Sequence, residues 1–402
     1  MTRPALRVAD VFRQHFDEYD RTHKIGPHQR DAVRHLLACR TAALGGHLYR
    51  CDTCGKEVPL YNGCLDRHCP TCQTVAKEEW LAARRAELLP VEYFHAVFTV
   101  PHRLNPLIDA NRALLLGELF AAVAWVLGRF AADPQWRLEG QLGFFCVLHT
   151  WTQKLQEHFH LHVIVPGGVW RAEAKPVGEA GRADTQQWVS CRSGFLFGKD
   201  PLAAAFRNRY LKRLAALRRQ GKLDFTGGAS ELAEPVVWDA FMRDLATVKW
   251  VVESRPTAAG PAQALDYLGR YVHKVAIGNH RLLSLTDGRV RFTWRDRAHG
   301  NVKKIAELPA EEFIKRFLYH ILPPGFQKIR YYGWLASRNK SQTLAAIRAA
   351  IGAEEPPAQP EETAPERILR LTGVDVRRCP ACGASALAYL CRIAPPPARG
   401  PP

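Results

Sequence analysis

The sequence predicts an α+β protein built on an antiparallel sheet, and three observations lead there. Short β-branched and aromatic runs recur at Tyr93–Val100, 142–151 and 158–166, as expected of sheet strands. Apolar stretches of helical length lie between and around them, the longest near 105–131. Strands and helices intermix without the regular alternation of a parallel βαβ fold.

Along the chain, residues 4–45 read as helical, with Pro27 opening a second helix whose apolar face carries Val33, Leu36 and Leu37. A cysteine-rich stretch follows, then a helix from about Gln73 to Leu89. Tyr93–Val100 alternates in the strand manner and opens a larger domain. The run Leu114–Val126 is apolar but interrupted by Glu118, which suits a core helix better than a membrane span. Residues 167–200 read as a loop-rich insertion, and the segment from Arg207 to Arg219 as a basic helix. Val248–Glu253 reads as a strand, 264–274 as a helix, 281–285, 289–295 and 302–306 as strands, and 310–320 as a helix. Glu354–Pro365 is rich in Pro and Glu and reads as a linker. The expected organisation is a helical cysteine-bearing region over 1–90, a catalytic domain over 91–350, and a linker with a short cysteine-containing tail over 351–402.

Composition narrows the function. The 56 Lys and Arg against 39 Asp and Glu give a net charge of +17, a balance that favours polyanions, nucleic acid first among them. No run reaches the roughly 18 apolar residues of a membrane span, and the N-terminus lacks a signal-peptide core. A cytoplasmic protein is therefore expected, in which paired cysteines are metal ligands rather than disulfides.

Three tracts carry the candidate chemistry. His158, His160 and His162 alternate within an apolar strand. Residues two apart on a strand share a face about 6–7 Å apart, so His160 and His162 point the same way and suit one metal ion. His158 falls on the same face as a third ligand or as the strand's wet end, and Leu161 points into a core. About a hundred residues later, Tyr267 and Tyr271 are four apart, neighbours on one helix face. The third tract, Cys51-x2-Cys54-x14-Cys69-x2-Cys72, has the paired turns that present four thiolates to a structural zinc ion. Cys64, His68 and His47 lie nearby as alternative ligands, and Arg50, Lys56 and Arg67 as exposed basic loops. Cys379, Cys382 and Cys391 form a half site, either degenerate or completed from elsewhere.

The histidine–hydrophobe–histidine strand followed by the Tyr-x3-Tyr helix resembles the HUH single-strand endonucleases, and more closely the two-tyrosine transposases of bacterial rolling-circle insertion sequences. The flanks match as well: Leu148 to Gln153, Tyr267 to Ile277, Phe292-Thr293-Trp294-Arg295-Asp296, and Gly325 to Gly333. Ala42 to His47 leads into the cysteine tract as in that family's N-terminal zinc region. The resemblance implies an HUH-type antiparallel sheet carrying the histidines, with the tyrosine helix packed beside it. It implies Tyr267 and Tyr271 as nucleophiles that form 5′-phosphotyrosine links, Mg2+ or Mn2+ as the catalytic ion, and single-stranded DNA and transposon ends as partners. Nucleoid association in a bacterial cytoplasm follows.

The third ligand is open among His158, Gln153, Gln156, His149 and His95. Arg270 and Lys274 beside the tyrosines, and Lys328 and Arg330 in a tract that interleaves cations with aromatics, are expected to contact DNA. The phosphotyrosine stores the bond energy, so no nucleotide cofactor is needed, and no Gly-x4-Gly-Lys loop occurs. A plasmid replication initiator or relaxase would share this chemistry, and a non-catalytic zinc-dependent DNA-binding regulator would share only the cysteines.

Overall fold

The computed structural model describes residues 6–172, 186–257, 276–296, 299–336, 338–355, 362–373 and 375–396. The chain begins with α1 (Val8–Thr22) and α2 (Pro27–Ala38), the hairpin β1 (Gly46–Cys51) and β2 (Glu57–Tyr61), and α3 (Gln73–Arg85). Next come β3 (Tyr93–Thr99), α4 (Asn105–Ala110), α5 (Arg112–Ala132), β4 (Gly143–Trp151) and β5 (Glu157–Pro166). β6 (Gly168–Ala172) and β7 (Gln186–Ser190) pair as a small ribbon within the stretch expected to be loop-rich. α6 (Lys199–Arg219), α7 (Pro235–Thr247) and β8 (Val251–Pro256) follow. After residue 276 come β9 (Leu282–Thr286), β10 (Arg289–Asp296), β11 (Val302–Pro309), α8 (Ala310–Tyr319), β12 (Ile329–Gly333), α9 (Lys340–Ala350), α10 (Ala364–Thr372) and β13 (Leu387–Ile393).

The fold class is the α+β arrangement expected. Its centre is a five-stranded antiparallel sheet in the order β12-β4-β5-β3-β8. One face presents Phe94, Ala96, Phe98, Leu148, Phe159, Leu161, Val163 and Val165, and packs against buried residues of α5 and α6 such as Phe120, Val123, Phe206 and Tyr210. α5 is long and apolar enough to cross a membrane, and half of it is buried inside the protein. The expected helix over 105–131 is two helices, because Asn111 leaves helical geometry at φ −128°, ψ 39°. Its side chain is then bonded to Leu107 and Asp224 carbonyls. The basic helix α6 is a core helix: Arg213 pairs with Glu118, and Arg218 donates to the carbonyls of Leu232 and Ala233.

A second core joins α1 and α2 to α8 and the sheet β11-β10-β9. Phe12 meets Phe317 edge-on at 5.2 Å, and Trp151, Leu155, Ala276 and Ile277 close this core toward the central sheet. The first two helices are therefore packed with residues 276–321, across the boundary expected near residue 90. The C-terminal tail also returns: β13 pairs antiparallel with β1 to give the sheet β13-β1-β2.

Candidate active site and metal centres

Alternation along β4 and β5 separates a core face from a histidine face. In register, His149 lies opposite His160 and Val147 opposite His162, while Leu148 and Leu161 point to the helices. Directly opposed strand residues have Cβ atoms about 4.5–5.5 Å apart, close enough for one ion to be shared. One nitrogen each of His149, His160 and His162 lies within 4.8 Å of the others. The three rings are 3%, 8% and 6% exposed, so they are held by the protein rather than spread along a wet edge.

Neighbouring groups fix ring orientation. His160 Nδ1 is 3.0 Å from the His158 carbonyl oxygen, so that nitrogen donates and Nε2 keeps its lone pair. His162 Nδ1 is 2.8 Å from Nε2 of His95, with the rings stacked. Burial holds His95 well below the usual imidazole range, to about 4, so it is neutral. A proton donated from His162 Nδ1 to His95 leaves His162 Nε2 available to a metal. His149 stacks on Trp151 at 4.9 Å.

The turn between the two strands is over-determined. Leu155 is buried with φ +62°, a left-handed conformation that a branched residue adopts only when held. The carbonyls of Gln153, Lys154 and Leu155 are bonded by Arg281, Arg316 and His320 respectively. His320 is buried and neutral, lowered to about 3 by burial, and also meets Thr150. Because a one-residue slip would exchange the two faces of a strand, this turn protects the histidine register.

His158, expected beside His160 and His162, has its ring 4.7 Å from that of His160 but is not among the three residues whose ligand nitrogens lie mutually within 4.8 Å. Its Nδ1 is 2.8 Å from His102 Nε2, at the outer end of the strand. The third imidazole of the cluster is that of His149, the cross-strand partner of His160. Gln153 is withdrawn too, its side-chain oxygen accepting from the Arg295 backbone. Lys328 reaches the histidine end of the sheet, its ammonium 5.2 Å from the Trp151 ring. Arg330, expected on DNA, lies across the sheet: alternation along β12 turns it to the helices, where it covers Phe120 and Phe326. Tyr267, Tyr271, Arg270 and Lys274 lie outside the described residues.

The cysteines regroup. Cys51 and Cys54 do not meet Cys69 and Cys72. Cys69 and Cys72, at the start of α3, join Cys64 and Cys39. The sulfurs of Cys39 lie 3.5 Å from those of both Cys69 and Cys72, and Cys64 is 3.7 Å from Cys72. Cys39 caps the end of α2 with no partner cysteine near it in sequence, so spacing carried no signal for it. Cys51 and Cys54 instead gather with Cys379 and Cys382. His68, weighed as an alternative ligand, is bonded to Asp66 and to the Leu322 amide, and Arg67 donates to the carbonyls of Leu322, Pro323 and Phe326.

Two family models match the chain: "Putative transposase" over residues 143–342 and "Transposase zinc-binding domain" over 11–100. A "Putative transposase y4qJ" of Sinorhizobium fredii (strain NBRC 101917 / NGR234) is 43% identical over 95% of this chain and 94% of its own. The chain belongs to this transposase family. The "Transposase for insertion sequence element IS801" of Pseudomonas savastanoi pv. phaseolicola is 28% identical over 88% of the chain and 82% of its own. No solved structure matches.

The transposase is thus a DNA-acting strand-transfer enzyme with a zinc-binding domain. The histidine cluster and both tyrosines fall inside the first match, and Cys39, Cys64, Cys69 and Cys72 inside the second. Four sulfurs at these separations suit tetrahedral zinc, whose Zn–S bonds of about 2.3 Å put the sulfurs roughly 3.8 Å apart.

Proposed function

We propose that this transposase cuts and rejoins single-stranded DNA through 5′-phosphotyrosine intermediates, with Tyr267 and Tyr271 as nucleophiles and a divalent cation held by His149, His160 and His162. The observation that carries the reading is the convergence of three buried imidazoles from two adjacent strands, with no carboxylate joining the cluster among the described residues. Such a donor set fits a divalent ion: Mg2+ or Mn2+ is what the family resemblance implies, while imidazole ligation equally suits zinc or nickel. When bound, the ion supplies Lewis-acid stabilisation of the charge on the scissile phosphate.

The chain's residues then divide the work. A tyrosine hydroxyl loses its proton and attacks phosphorus; the new Tyr O–P bond replaces the bond to the 3′ oxygen, which takes up a proton and leaves as a free hydroxyl. Reversal by a second 3′-hydroxyl rejoins DNA, so no nucleotide is consumed. Two tyrosines allow one to hold an end while the other attacks a second strand. Residue 276, only five positions after Tyr271, packs in the same core as Trp151, which stacks on His149.

Single-strand preference has its own support. Half-buried Trp294 on β10 lies under Lys154 at 4.1 Å and Lys304 at 5.8 Å. An aromatic flanked by cations is the arrangement on which unpaired bases stack. The net charge of +17 suits the polyanion, and a bacterial cytoplasmic, nucleoid-associated location follows from that substrate.

The test is to incubate purified protein with end-labelled oligonucleotides tiling both element ends, with Mg2+ or Mn2+. A protease-sensitive covalent adduct on single strands, with a free 3′-hydroxyl fragment, is expected. Absence of adduct under every divalent ion would overturn the reading and favour a non-catalytic DNA-binding regulator, and equal cutting of duplex would overturn the single-strand preference.

A further inference from the structure

The geometry points to a second zinc site, built from Cys51, Cys54, Cys379 and Cys382, that joins the two ends of the chain into one zinc ribbon. Cys379 and Cys382 lie outside both matched regions, and Cys54 and Cys379 are 325 residues apart.

The first argument is the sulfur geometry. Cys51 Sγ lies 3.6 Å from Cys382 Sγ, and Cys54 Sγ 3.7 Å from Cys379 Sγ, with all four ligand atoms inside 4.8 Å of one another. These separations are far too long for disulfides, whose S–S bond is about 2.05 Å. They match the roughly 3.8 Å edge of a zinc tetrathiolate tetrahedron.

The second argument is that the two turns are the same turn used twice. The sequences are Cys51-Asp52-Thr53-Cys54-Gly55-Lys56 and Cys379-Pro380-Ala381-Cys382-Gly383-Ala384. In each, the first cysteine's amide donates to the carbonyl five residues on: Cys51 to Lys56 at 3.0 Å, Cys379 to Ala384 at 2.8 Å. In each, the glycine amide returns to the first cysteine's carbonyl, at 2.8 and 2.9 Å. Gly55 and Gly383 sit at φ +73° and +78° with open space where a Cβ would be, so it is the backbone that selects glycine. Backbone N–H groups of Thr53 and Cys54 aim at Cys51 Sγ, and those of Ala381 and Cys382 at Cys379 Sγ, as thiolate ligands require.

The third argument is the sheet between them. β1 leads into the first turn and β13 leaves the second, and the two strands pair directly, Cys51 opposite Leu387. The Asp52 amide bonds to the Ala386 carbonyl across the junction at 2.9 Å. Two knuckles on a three-stranded antiparallel sheet make a zinc ribbon, here with its second knuckle supplied from the far end of the chain. The tail is also tied to α3, through Arg367 to Glu79 at 3.0 Å.

Thiol mapping on the full wild-type chain tests this directly. Cys54, Cys382 and Cys391 are all exposed, so burial protects none of them. Under reducing conditions, iodoacetamide should label Cys391 at once and leave Cys54 and Cys382 at least about tenfold slower until a chelator is added. Labelling of Cys54 and Cys382 at the Cys391 rate before chelation would overturn the site. Native mass spectrometry should find two zinc ions per wild-type chain and one in C379S/C382S. An unchanged zinc count in that variant would likewise overturn it.

Discussion

The histidine cluster and the cysteine-rich region are both candidate metal centres, and they are assembled in opposite ways. His149, His160 and His162 come from two adjacent strands joined by one short turn, and strand register alone brings them together. The cysteines come from a helix end, a hairpin, a loop and, through β13, the far end of the chain. The first centre is held by the sheet whether or not metal is bound, because its second face is buried core. The cysteine sites divide: Cys39, Cys69 and Cys72 sit in the core shared with α1 and α2, whereas the site of Cys51, Cys54, Cys379 and Cys382 has little core of its own, with Cys54 and Cys382 exposed and ligand bonds its main means of cohesion. A preformed site suits catalysis, where ligand geometry must survive exchange of substrate. A site that metal itself assembles suits structure.

Removing a preformed ligand should therefore destroy activity and spare the fold. His160→Ala and His162→Ala should each lower adduct formation by at least about a hundredfold, with the far-UV spectrum retained. Wild-type rates at saturating metal in either variant would break the comparison. Removing an assembling ligand should do the reverse. Cys39→Ser should lose one zinc and loosen α2 and the start of α3, because Cys39, Cys69 and Cys72 belong to the second core. Native mass and a fall of several degrees in thermal midpoint check this, and an unchanged zinc count would contradict it.

A finer contrast separates the two histidines that compete for the third position. His149→Ala should weaken Mn2+ binding about 10–100-fold, on the scale of losing a metal-site partner, while His158→Ala should stay within about threefold. Calorimetric titration gives both numbers, and the opposite order would restore His158 as the ligand.

The smallest effect concerns Asp109, beside Arg112 and hydrogen-bonded by the Tyr319 hydroxyl. Burial, reinforced by the Glu157 carboxylate, pushes its pKa up to about 7. The folded state then binds more protons than the unfolded chain between roughly pH 4 and 7, so this contribution is present at low pH and is lost as pH rises through about 7. Asp109→Asn should flatten that part of the stability profile and be the more stable protein at pH 8. Parallel urea midpoints from pH 5 to 8 would contradict it. The side chain is about a third exposed, so the effect is small.

How much of this was legible in the sequence follows the same division. The α+β class, the antiparallel sheet and the inward direction of Leu161 are local consequences of period-two patterning, and the structure has them. His149 was one candidate among five, because choosing it requires the register of β4 against β5, which the sequence leaves open. Arg330 read as a DNA contact from composition, yet strand alternation turns it onto Phe120. Cys51-x2-Cys54 and Cys69-x2-Cys72 read as one site because sequence proximity was the only guide to partnership. Cys39 carried no spacing signal, and the half site at Cys379 and Cys382 could not name partners more than three hundred residues away. Local periodicity is visible along a chain, and long-range closure is not.

The central claim, a tyrosine-linked DNA intermediate at the histidine face, is tested most directly by mapping the covalent adduct. Wild-type protein trapped on a single-stranded oligonucleotide should carry the nucleotide mass on the peptide containing Tyr267 or Tyr271. Each single Phe substitution should shift the adduct to the other tyrosine, and the double variant should form none. An adduct on any other residue, or undiminished adduct in the double variant, would contradict the account.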